Sequence, residues 1–91
     1  MPYKAINKET SNNKASYDVE VDLVQNRLPN ESELKNIALE IKEDSGPVNN
    51  LFICFYLPGM KINAGAYATG HQCNIEIQEY MLLGTKYQRL I

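Results

Sequence analysis

Leu51-Phe52-Ile53-Cys54-Phe55-Tyr56-Leu57 is the stretch on which the fold turns. Seven apolar residues follow one another, and Phe52, Ile53, Phe55 and Tyr56 are good strand formers. The run is far shorter than the roughly 20 residues that a membrane-spanning helix needs. Pro58-Gly59 ends it. A strand apolar without alternation is one covered on both faces, which puts it at the centre of a sheet. Its odd positions, Leu51, Ile53, Phe55 and Leu57, then meet one covering layer. Its even positions, Phe52, Cys54 and Tyr56, face the other way.

The covering layer lies just upstream. Leu34, Ile37, Ala38 and Ile41 fall at i, i+3, i+4 and i+7, which is one face of a helix. Asn30 with Glu33 three residues on makes a capping box, and Pro29 precedes the cap, where its missing N–H costs no helical bond. Glu31 and Lys35 form an i,i+4 pair in the favourable order. Ser45-Gly46-Pro47 stops the helix, which is expected over about residues 31–44.

Before the helix, Tyr17-Asp18-Val19-Glu20-Val21-Asp22-Leu23 alternates apolar and acidic residues without a break. That is a half-buried strand with Tyr17, Val19, Val21 and Leu23 inward. The long connection from this strand through the helix to residue 50 is sufficient for a crossover that sets the two strands parallel. Residues 3–8 are a weaker strand, and Ser11-Asn12-Asn13 supplies a turn, so the chain is expected to open with a hairpin. After the loop 58–65, Ala66–His71 and Ile75–Tyr80 form a second hairpin about Gln72-Cys73-Asn74. The expected architecture is α+β. One amphipathic helix packs on a four- to five-stranded, mostly antiparallel sheet in the order β-β-α-β-β-β, as one domain over residues 1–91.

Composition and motifs exclude more than they assign. Of the 91 residues, 44% are hydrophobic and 22% charged, as in ordinary globular domains. A net charge of −2 gives no overall attraction to nucleic acid. Residues 17–44 concentrate a net charge of −5, the sign of a solvated acidic surface. The first twenty residues are polar, and Cys54 and Cys73 make neither a disulfide framework nor a metal pair, so a cytoplasmic protein is expected. No phosphate loop, dinucleotide fingerprint, metalloprotease motif or Cys-x-x-Cys is present. No cofactor, metal or membrane partner is expected.

His71 is the sole histidine, two residues from Cys73. On a strand those positions share a face, but a Cys/His nucleophile also needs an orienting group, and none is evident. The plainer reading is a strand-end histidine and a turn cysteine. Cys54, among large apolar residues, reads as a buried, inert core thiol, which leaves Cys73 the more reactive.

One helix covers one side of a sheet. Phe52 and Tyr56 therefore belong to a second face, to which Tyr67, Thr69, His71 and Tyr80 are expected to contribute as ligand or interface residues. Either a partner or ligand covers that face, or the N-terminal hairpin or the 81–91 tail folds over it.

Tyr56-Leu57-Pro58-Gly59-Met60 followed by Gly65-Ala66-Tyr67-Ala68-Thr69 resembles the signature of an uncharacterised bacterial family of small domains. Such domains occur as cargo of mobile elements, including integron gene cassettes. The helix pattern Leu34, Ile37-Ala38, Ile41 is similar too, and the resemblance spans about residues 28–77. The family carries Trp where Tyr67 stands here. The resemblance implies a bacterial α+β domain and no particular activity.

The residues thus point to a homo-oligomeric module, a homodimer or larger, that binds a small molecule or another protein. One alternative is a small enzyme with a cleft around His71. Another is an immunity-type inhibitor whose acidic face, Asp18, Glu20 and Asp22 with the helix acids, mimics a nucleic acid or meets a basic toxin.

Overall fold

A computed structural model describes residues 2–23, 27–61 and 65–78 of the chain. Five strands and one helix follow in the order β1 (Tyr3–Ser11), β2 (Lys14–Val21), α1 (Glu31–Ser45), β3 (Asn50–Tyr56), β4 (Ala68–His71) and β5 (Asn74–Ile77). The strands lie side by side in sequence order, β1-β2-β3-β4-β5. Only β2 and β3 are parallel, and the other pairs are antiparallel. The fold is α+β with a mixed, mostly antiparallel sheet, and the apolar run 51–57 supplies its central strand.

The helix begins as its sequence dictates. The Glu33 amide donates to the Asn30 side-chain oxygen at 2.9 Å, and the Asn30 amide donates to the Glu33 carboxylate at 3.1 Å. The Arg27 guanidinium closes on the same carboxylate with two bonds, of 2.7 and 2.8 Å. Together these hydrogen bonds, Arg27's first, pull the Glu33 carboxyl down to a pKa of about 2. At the other end, Gly46 takes a positive φ of 76°, a region open to glycine at no steric cost.

Leu34, Ile37, Ala38 and Ile41 are all buried, and they meet Tyr17, Val19 and Val21 of β2 and Leu51, Ile53 and Phe55 of β3. Strand β4 presents only Ala68 and Gly70 to this side. A Cβ at Gly70 would sit 3.2 Å from Ile75 Cδ1 and 3.5 Å from Phe55 Cε2, so β4 is shallow where β3 and β5 are bulky. Leu23 is half-buried at the edge of the cluster. The turns are stitched to the central strand. The Asn13 carbonyl accepts from the Asn49 and Asn50 amides, and the Gln72 amide donates to the Leu51 carbonyl at 2.8 Å.

Two expectations need correction. Strands β4 and β5 are shorter than 66–71 and 75–80, and residues 79–91, including Tyr80 and the tail, lie outside the described residues. Tyr67 does not point to the second face. It sits at a bend just before β4, where strand alternation does not hold, and its side chain turns into the helix-side cluster. Its hydroxyl donates to the Pro29 carbonyl at 3.1 Å and so ties the base of β4 to the entry of α1.

Tyr17 is also buried, yet its hydroxyl has no hydrogen-bond partner among the described residues. A buried unpaired hydroxyl costs about 1–3 kcal/mol. Tyr17→Phe is therefore expected to leave the urea midpoint unchanged or raise it, by up to about 1 kcal/mol in stability. A loss of that size instead would show that the hydroxyl has a partner, such as a trapped water.

Glu33 gives a prediction in pH. Its folded pKa lies below the usual unfolded value near 4.3, so its contribution is present above that pH and fades as pH falls toward 2. Glu33→Gln should cost about 1 kcal/mol at pH 7, held to that size because Arg27 is half in solvent. The difference from wild type should shrink below about pH 4, be much reduced at pH 2 and disappear only below it. A gap between the two melting curves that is the same at pH 7 and pH 2 would reject this account.

Candidate interaction face

The helix takes the odd positions of β3, so the even positions define the opposite face. Register places its side chains in rows. Ser16, Phe52, His71 and Asn74 are successive neighbours across β2 to β5, and Asp18, Cys54, Thr69 and Glu76 form the next row. Phe52 is 44% exposed in the middle of the central strand. Its ring stacks on that of His71 with centroids 4.8 Å apart and planes 5° from parallel. That spacing is about the distance between paired strands. The two rings thus stack across the sheet, and the outer face of Phe52 turns toward the short Ser16 side chain.

An open depression of about 300 Å³ surrounds the stack, lined by Phe52, Thr69, Gly70, His71, Asn74, Ile75 and Glu76. Phe52, Thr69 and His71 are therefore brought together as expected. Tyr56 and Tyr67 are not part of the exposed patch. Tyr56 retains only 4% exposure, and Tyr67 belongs to the helix-side core. Among the described residues the aromatic surface of this face is narrowed to Phe52 and His71. Asn74 was not anticipated, since only the register to His71 reveals it.

Cys54 also departs from expectation. It is half-buried on this open face rather than sealed in the core, because the parity that exposes Phe52 exposes residue 54. Burial raises its thiol above the usual range, and the carboxylate of Asp18, its register neighbour on β2, raises it further. Asp18 in turn accepts from the Asn7 side chain at 3.2 Å. Cys73 is half-buried in the β4–β5 turn.

No hydrogen bond or ion pair to a described residue orients the His71 ring, whose contact is the Phe52 stack. No group of three or more His, Cys, Asp or Glu side chains among the described residues is placed to hold a metal ion. The acids divide into two sets. Asp18 and Glu20 lie on the helix-free face, whereas Glu40, Glu43 and Asp44 ride on the helix across the sheet, with Asp44 paired to Lys8 at 3.8 Å. No helix among the described residues is long and apolar enough to cross a membrane.

In comparison with known proteins the chain matches no family model, no curated protein and no solved structure. Geometry therefore carries the functional argument.

The Cys54 environment is open to test. Native labelling of Cys54 by a thiol reagent at pH 8 should run slower than for a free thiol, since the thiolate is the reactive form. Asp18→Asn should quicken it by roughly twofold by removing the like charge. An unchanged rate would mean that access alone governs the reaction.

Proposed function

We propose that the protein is a homo-oligomeric protein-interaction module whose working surface is the helix-free face of the sheet. The observation that carries this is the exposed Phe52 at the centre of the central strand, stacked on His71 and flanked by polar groups. An aromatic held rigid by a neighbour and ringed by hydrogen-bonding side chains has the make-up of an interface anchor. A depression this open encloses little of a small ligand, which favours a protein partner over a small molecule. An enzyme built on His71 gains less support, because the ring has no described orienting partner. An inhibitor acting through one acidic ridge gains less as well, because the strand acids and helix acids occupy opposite sides.

The Tyr56–Met60 and 65–69 motifs also support placing the chain in the bacterial family of mobile-element cargo domains. In the structure residues 56–60 close β3, with Gly59 at a positive φ of 87°, and residues 65–69 lead into β4. Its role there is to set the strand end and the turn, which bears on fold and not on activity.

A photo-crosslinking phenylalanine analogue at position 52 tests the working surface in the cell. The expected result is a discrete adduct from position 52 and none from the same analogue at Leu39, which is exposed on the helix. Equal adducts from both positions, or none from 52, would sink the assignment.

A further inference from the structure

We infer that two copies of the chain join through the outer edge of β1, in one antiparallel register that a bulge selects. This rests on the homo-oligomeric part of the reading above and names the contact. Among the described strands, β1 forms an edge of the sheet, and Lys4–Ser11 is exposed throughout.

The pairing of β1 with β2 shifts register between Ala5 and Asn7, so that Ile6 is an inserted residue. Before the bulge, Tyr3 and Ala5 face the helix side, opposite Val21 and Val19. After it, Lys8 and Thr10 do, opposite Tyr17 and Ala15. Lys4, Asn7 and Glu9 face the open side, opposite Glu20, Asp18 and Ser16. The face assignment has thus flipped from odd to even along one strand.

Directly opposed residues in an antiparallel pair point to the same face. When two copies of a regular strand meet about a two-fold axis, that condition requires odd to oppose odd. Across this bulge it requires odd to oppose even. One register satisfies the condition at every pair whose faces the ladder with β2 defines, Tyr3 opposite Thr10, Lys4 opposite Glu9 and Ala5 opposite Lys8, with the bulge residue Ile6 and Asn7 of the two copies at the axis. Moving one copy along by two residues in one direction sets Asn7 against Lys8, which face opposite sides. Moving it in the other direction sets Ala5 against the bulge residue Ile6 and Glu9 against Pro2, outside the strand, so the Lys4–Glu9 pairs are lost.

In the favoured register, symmetry gives two Lys4–Glu9 pairs on the open face. Each Lys4 then lies between Glu20 of its own β2 and Glu9 of the second copy. Lysines and bulges commonly guard an edge against strand addition. Here the bulge disfavours the registers two residues to either side, and Lys8 is drawn to Asp44 and the Tyr17 ring on the helix side, away from the open face. The joined sheet would carry both helices on one side and both Phe52–His71 stacks on the other.

Charge exchange tests the register. Wild type should show a concentration-dependent dimer by light scattering. Lys4→Glu and Glu9→Lys, each alone, should weaken it by about tenfold or more, as two attractive pairs become two repulsive ones. An equimolar mixture of the two variants should restore a heterodimer of wild-type affinity, because every pair is again opposite in charge. Thermal melts confirm that each variant is folded. A dimer that ignores both substitutions overturns the proposal. If Phe52→Ser dissociates that dimer instead, the contact lies on the open face and the homo-oligomeric reading stands without the edge. A wild-type monomer at the highest soluble concentration overturns both.

Discussion

Strand β3 can bury only every second side chain against α1, and the rest of the molecule follows from that parity. Leu51, Ile53 and Phe55 take the helix side, together with Leu34, Ile37, Ala38 and Ile41. Because β2 and β3 are parallel and in register, Tyr17, Val19 and Val21 are bound to the same side, and Asp18 and Glu20 to the other. Antiparallel pairing passes the rule on to β4, where Ala68 and Gly70 lie under the helix and Thr69 and His71 above. A one-residue slip in any pair would turn charge into the core and apolar side chains into water, so the register is heavily specified.

What the sequence makes legible follows the same rule. The helix is readable because its stripe, cap and stop are local, and the capping box at Asn30 and Glu33 forms as its spacing requires. Phe52 and Cys54 are readable as opposite in sense to Ile53, though residue type argues for burying Cys54, and parity prevails. Tyr67 is not readable, since its direction is set by a bend and by a carbonyl 38 residues away in sequence. Nor is the bulge at Ile6. Nothing in Tyr3–Ser11 marks an inserted residue, because the irregularity exists only relative to β2. The limit is physical: alternation gives a face only within an unbroken ladder.

A domain of 91 residues has little apolar surface to spare. That makes an unpaired buried hydroxyl at Tyr17 and an uncovered ring at Phe52 notable together. The first is tolerated where the Lys8 ammonium lies 5.4 Å from the centre of the same ring, a contact that favours an aromatic there whatever its hydroxyl does. The second is not a packing accident, since parity leaves position 52 no route to the core. The His71 stack secures one face of the ring, and the rest of its apolar surface is left for a partner.

The two surfaces left over, the open face and the β1 edge, are linked through Glu20, Asp18 and their partners on β1. Asn7 donates to Asp18, and Lys4 stands opposite Glu20, so the edge strand supplies polar and cationic partners to an otherwise acidic row. That row, on β2, lies on the strand next to Phe52, whose stack with His71 spans β3 and β4. Whatever fixes β1, whether a second copy or solvent alone, also fixes the charge beside Cys54. The edge strand thus tempers the acidic row at Asp18, the carboxylate that raises the Cys54 thiol on the open face.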